Sequence, residues 1–183
     1  MNFAGIDFSM SCPAITVGNS KDFSKCKTFY YTSDNKFVGS FKHSVYGIMH
    51  IPYSCQEERF DNISEWAIAI LKKFKVTDVC LEGYSMGSKG NITGIAENAG
   101  LLKHKMWKQG IKFSTPAPTQ IKKYFSGKGN ANKDFMYESF IEQTKIQLCE
   151  EIGYNKIPKP DSNPISDIVD SYAMLCYAID NQM

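Results

Sequence analysis

The sequence holds 183 residues, 43% of them hydrophobic and 22% charged, which suits a single globular domain spanning 1–183 with one sizeable core. Its net charge of +2 is small, and its six cysteines are scattered through mostly apolar runs without a CxxC pair, so neither a disulfide framework nor a zinc site is expected. The chain does not open with a basic segment followed by an apolar stretch and contains no run of about 18 apolar residues, which argues against a membrane-spanning helix and for the cytoplasm.

Phe3 to Phe8, Ala14 to Val17 and Lys27 to Thr32 read as three short strands. They are separated by SMSCP and GNSKDFSK, whose Gly, Pro, Ser and Asn supply turns, and they predict an antiparallel meander. Lys36 to Tyr53 is aromatic and irregular and fits either a further hairpin or a long loop. From Gln56 to Phe74 the apolar residues Phe60, Ile63, Trp66, Ala67, Ile70, Leu71 and Phe74 fall on one helical face. Val76 to Leu81 follows as a buried strand, Ile92 to Gln109 as a helix, Ile111 to Ser114 as a strand, Pro118 to Phe125 as a short helix and Lys133 to Ile152 as a long one. A last helix runs from Ile165 to Ile179, with Ser162 and Asn163 as cap candidates and Pro164 in the first turn. A meander followed by alternating helix and strand predicts an α/β fold: a mixed sheet flanked by helices.

Four carboxylates stand out on that scaffold. Asp7 interrupts a strand that otherwise reads as buried, on the side it shares with Gly5 and Ser9, and a buried charge without a partner is costly. Glu82 sits at the carboxyl end of a strand, where functional groups of open α/β sheets gather. Asp167 and Asp170 lie three residues apart at the start of the last helix and share a face. Taken singly, the helix acids answer a helix dipole and Glu82 is a surface residue. Converging, the four require cations, and an all-oxygen set without His or Cys fits Mg²⁺ or Mn²⁺. Two such ions clamp the attacking and leaving oxygens of a phosphodiester.

Charge is also unevenly spread. Between Lys103 and Lys133 lie eight lysines and no acid, whereas acids gather from Asp134 onward. That stripe is either a solvated face or a surface for a polyanion, with His104, Trp107, Tyr124 and Phe125 as stacking partners.

The ordered set GIDFSMSCPAI, VCLEGYS and DIVDSYAML resembles the RuvC-like Holliday junction resolvases of the RNase H-like superfamily across nearly the whole chain. The resemblance implies an RNase H-like mixed five-stranded sheet flanked by helices, with Asp7, Glu82, Asp167 and Asp170 as catalytic metal ligands for two Mg²⁺ ions, Mn²⁺ substituting. It makes Lys122 and Lys133 contacts to DNA near the scissile phosphate, Lys133 also serving the chemical step. Lys123 and Lys128 follow along the DNA backbone. The loop after Glu82 brings Tyr84, Ser85 and Lys89 to DNA, with Tyr84 and Ser85 where bacterial members place an apolar aromatic. ITGIAENAGLLKHKM resembles the helix through which members form homodimers; Ile95, Leu102 and Met106 on it face either a partner or their own sheet, with Ala96, Ala99 and Gly100 allowing close approach.

The implied activity is Mg²⁺-dependent resolution of four-way junctions by paired hydrolysis, leaving 5′-phosphate and 3′-hydroxyl ends. The stretch from Asp34 to Tyr53 has no evident family counterpart, and the compact size and single arginine, Arg59, suit a phage-encoded member in a bacterial cytosol. The alternative within the fold is a nuclease for flaps, other branched DNA or RNA:DNA hybrids. Outside it, a non-catalytic DNA-binding protein is opposed by the four acids, and a sugar-kinase-type fold by the chain's length.

Overall fold

Gly5 decides where the last helix sits on the central strand, and hence where the acids meet. The structure, a computed structural model, describes residues 2–83, 92–152 and 158–181. In it β1 (Asn2–Asp7) pairs antiparallel with β2 (Ala14–Gly18), and β2 antiparallel with β3 (Lys27–Thr32), which is the expected meander. On its other side β1 runs parallel to β6 (Val76–Leu81), and β6 parallel to β7 (Lys112–Ser114).

The sheet has seven strands rather than five. The two additional ones, β4 (Gly39–Phe41) and β5 (Val45–Met49), come from the segment left between hairpin and loop, in the order β4-β5-β3-β2-β1-β6-β7. β4 and β5 are antiparallel, but β5 adds to β3 in parallel, so the segment is a hairpin docked on the meander. Alternation in VYGIM is broken by Gly47, which is why the strand is hard to read in sequence. A side chain at Gly47 would overlap the Phe37 carbonyl and the Tyr30 ring, and Tyr30 Oη donates to that same carbonyl at 2.6 Å.

Helices cover both faces. α1 (Gln56–Lys73) and α2 (Ile92–Lys108) pack Ile63, Leu71, Leu102 and Met106 against Ile6, Ile15, Val79 and Leu81. On the opposite face lie α3 (Pro118–Ser126), α4 (Lys133–Thr144), α5 (Leu148–Glu151) and α6 (Ile165–Asn181), over Phe3, Ala14, Tyr30 and Cys80. The single helix expected from Lys133 to Ile152 is therefore two, broken at Lys145, whose φ of 62° is left-handed. Ile146 and Leu148 are both buried, yet on a continuous helix they would point about 200° apart. The break lets both enter the core.

α6 starts at Ile165 as expected, although Ser162 caps it differently. The Ser162 hydroxyl accepts the Lys159 N–H at 3.1 Å, and its carbonyl takes the Ser166 N–H at 3.1 Å. All six cysteines are free, five of them buried. Among the described residues no helix is long and apolar enough to cross a membrane.

Candidate active site

Register places the first two acids side by side. Ile6 lies opposite Leu81 in the parallel β1–β6 pair, and the Glu82 N–H reaches the Ile6 carbonyl at 3.4 Å, so Asp7 and Glu82 leave adjacent strands at the same end. Both follow the period-two face of Phe3, Gly5 and Cys80, the face that α6 covers. Any Cβ on Gly5 would overlap the Ser171 carbonyl and the Leu175 nitrogen, so the helix rests directly on the strand backbone. Thr16 on β2 fixes its rotation through a buried 2.8 Å hydrogen bond with Ser171. With Ser171 held there, Asp170 and Asp167 project over Asp7 and Glu82.

The four carboxylates line one open cavity of about 640 Å³, which also contains Lys122, Lys133 and Arg59. Each acid is pushed toward its protonated form. For Asp7 the largest cause is burial, followed by the charges of Asp167, Glu82 and Asp170 and a hydrogen bond shared with Asp167; its pKa lies well above the carboxylate range. Glu82 keeps solvent access through the cavity mouth, but the surrounding protein desolvates it and Asp170 repels it, raising its pKa to about 7 despite Lys122. Burial raises Asp167 to about 7 against the pull of Lys133, with Asp170 adding repulsion. Asp170 rises to about 6 by burial, opposed by Lys122 and Lys133. Cys12 stands against the same group: burial and the charges of Asp167 and Asp7 push its thiol up and keep it protonated.

Among the described residues none of the four acids has a salt-bridge partner, and Asp167, only 5% exposed, leaves Oδ2 without a hydrogen bond. Four crowded, desolvated oxygen donors with an unsatisfied lone pair fit a hard divalent cation. No three His, Cys, Asp or Glu side chains among the described residues already close around a single point, so the donors would have to draw together on an ion.

Of the expected DNA contacts, Lys122 and Lys133 line the cavity, and Lys133 Nζ donates to Ser166 Oγ at 3.1 Å, just before Asp167. Lys123 and Lys128 are exposed outside it, with Lys128 Nζ 4.2 Å from the Phe135 ring centroid. Other members of the stripe are committed elsewhere. Lys105 pairs with Asp61 and Glu65 on α1 at 2.6 and 2.5 Å, and Phe125 is buried in the core, so it is not free to stack on a base. Tyr124 donates to Asp180 at 2.6 Å, while Trp107 is 69% exposed beside His104. Tyr84, Ser85 and Lys89 lie outside the described residues.

On α2 the candidates for a partner face divide. Ala99, Leu102 and Met106 are buried against the chain's own sheet, which decides the open alternative for Leu102 and Met106 in favour of the sheet, and Ile95 lines the cavity. Gly100, His104 and Trp107 point outward. Sequence reasoning missed the wall formed by Ser9, Met10, Ser11 and Arg59; the one signal was the presence of a lone arginine among lysines.

A mixed sheet led by an antiparallel meander, with acids at adjacent strand ends and on the last helix, defines an RNase H-like nuclease. Residues 35–151 match the family described as crossover junction endodeoxyribonuclease RuvC, and the chain belongs to that family. The matched span begins at residue 35 and so takes in residues 35–53, nearly all of the segment without an evident counterpart by sequence. Membership makes the chain a DNA endonuclease that resolves Holliday junctions.

Solved structures agree on the fold. Thermus thermophilus RuvC aligns at a TM-score of 0.63 and 14% identity, over 100% of this chain and 97% of that one. T. thermophilus RuvC in complex with Holliday junction substrate aligns at 0.65 and 16%, over 99% and 96%. The yeast mitochondrial Holliday junction resolvase Ydc2 aligns at 0.53 and 13%, over 94% and 75%. No curated protein sequence matches the chain significantly.

Proposed function

We propose that this chain works as a Mg²⁺-dependent homodimer, with Asp7, Glu82, Asp167 and Asp170 as the metal ligands and catalytic acids of each protomer. The observation that carries this reading is the convergence of those four acids, unpaired and desolvated, in one open cavity with Lys122 and Lys133. Two Mg²⁺ ions, or Mn²⁺ in their place, supply charge neutralisation and Lewis acidity for attack of water on phosphorus. The protein's own part is positional. Asp7 and Glu82 are fixed by strand register, Asp167 and Asp170 by the seat of α6 on Gly5. Lys122 and Lys133 hold the phosphate over the acids, and the Ser166 bond aims the Lys133 ammonium. Lys123 and Lys128 extend this contact along the backbone, as Tyr84, Ser85 and Lys89 do from the loop after Glu82. Branched DNA with a four-way centre is the substrate that a pair of such sites matches, and a Holliday junction is what T. thermophilus RuvC holds in its complex.

Cleavage of a four-way junction, a flap, an RNA:DNA hybrid and a linear duplex, with and without Mg²⁺, tests this. Junction cutting is expected to dominate, to need the metal and to vanish in Asp7→Asn and Glu82→Gln, with junction binding retained because the basic rim is untouched. Normal cleavage by both variants would overturn the metal-site reading, and preference for the flap or hybrid would overturn the substrate.

A further inference from the structure

The cavity is bounded by two helical layers that meet at the end of the sheet. Lys122 and Lys133 come from α3 and α4 on one face, whereas Arg59 comes from the first turn of α1 on the other. Arg59 is the only arginine in a chain with 21 cationic residues, and among the described residues it has no carboxylate partner. It stands near His50, beside the rim, and helps keep that imidazole neutral, after the larger effect of burial.

Its guanidinium is nevertheless held in place. Nη2 donates to the Met10 carbonyl at 2.7 Å, Cζ lies 5.2 Å from the Tyr53 ring centroid, and the buried Nε has no partner among the described residues. The loop it holds is pinned again by His50 Nε2 against the Ser11 carbonyl at 3.2 Å and by Asn163 Nδ2 against Ser11 Oγ at 3.4 Å. A fixed planar cation that lines the cavity, pairs with no carboxylate among the described residues and keeps Nη hydrogens beyond the one given to Met10 is built for an external anion. A guanidinium meets a phosphate with two parallel hydrogen bonds, which a lysine does not.

We infer that Arg59 contacts a single backbone phosphate of the junction, on the bank of the cavity opposite Lys122 and Lys133, so that the cut strand is gripped from both helical layers. This rests on the junction-resolving reading above and adds a DNA-positioning contact to it.

The test is junction binding in Ca²⁺ by wild type, Arg59→Gln and Arg59→Lys, on junctions carrying one neutral methylphosphonate at each position around the cut in turn. In wild type, one substitution beyond those sensitive to Lys122 and Lys133 is expected to weaken binding about tenfold. Arg59→Gln is expected to lose that same tenfold on unmodified DNA, to become indifferent to that one position, and to bind with a log–log salt slope smaller by about 0.9. Arg59→Lys is expected to recover the slope but not the full affinity. If Arg59→Gln keeps the wild-type salt slope and position profile, Arg59 only pins the Met10 loop and the inference fails while the resolvase reading stands. If wild type does not bind the junction, the resolvase reading falls first and this contact with it.

Discussion

Asp7 is a carboxylate that its own surroundings protonate. The Asp7 pKa is well raised and those of Glu82, Asp167 and Asp170 stand at about 7, 7 and 6, whereas in an unfolded chain such groups titrate at about 4. Between those limits the folded protein binds more protons than the unfolded one, so stability falls as pH rises through the window. Without metal, the melting temperature should therefore drop from pH 5 to pH 8, and Mg²⁺ should raise it more at pH 8 than at pH 5. Asp7→Asn, which removes the titration of the most strongly shifted acid, should flatten the drop; scanning calorimetry in EDTA and in Mg²⁺ measures both. A metal-free protein equally stable at both pH values would mean that the acids are neither desolvated nor crowded. At this scale much of the site was legible. A carboxylate between Ile6 and Phe8 contradicts a buried strand, and that contradiction is itself the signal. Arg59 gave no comparable contradiction, because an arginine in the first turn of an amphipathic helix is ordinary until the fold places it on a cavity wall.

Elements bring these residues together, and the tightest join is α6 on β1. Gly5→Ala introduces a methyl where the Ser171 carbonyl and the Leu175 nitrogen already lie, and backbone atoms cannot swing aside as a side chain can. The variant should lose about 3 kcal/mol by urea unfolding, near the upper end for overpacking. Because α6 must lift or shift, Asp167 and Asp170 should misalign, with cleavage falling further than stability alone explains. Gly100→Ala, with open space where its methyl would go, is the control and should be nearly neutral. Most elements could be read from their apolar pattern, since α1 buries one helical face while β1, β6 and α6 are apolar runs buried nearly throughout. The failures share one cause: tertiary contacts overrode the local pattern. β5 conceals its alternation at Gly47 because the Phe37 carbonyl needs that space, and the chain leaves the helix at Lys145 so that Ile146 and Leu148 can both be buried. Likewise α2 has two apolar aspects, and spacing alone does not say which of them meets the sheet.

At the scale of the whole molecule, a four-way junction has near two-fold symmetry, and two duplexes result only when opposing strands are both cut before the protein departs. An isologous dimer offers two cavities in a matching arrangement, since the same patch serves both subunits. With Leu102 and Met106 committed to the core, the face of α2 left for such a patch is Gly100, His104 and Trp107, spaced at i, i+4 and i+7, with Trp107 the most exposed large apolar side chain among the described residues. Leu102→Glu would unfold the protein by burying a charge and is no probe of assembly. Trp107→Glu combined with Gly100→Arg leaves the core, the four acids and the cavity lysines untouched. It should give a folded monomer, by sedimentation and by an unchanged melting temperature at low protein concentration, that nicks a supercoiled cruciform once and releases it. Wild type should convert the same cruciform to linear product without accumulating the nicked form, because the second site is already seated when the first cut relaxes the junction. A wild-type protein that sediments as a monomer at working concentration, or that sheds singly nicked cruciform, would remove the dimer from the mechanism and leave the acid cavity to act on one strand at a time.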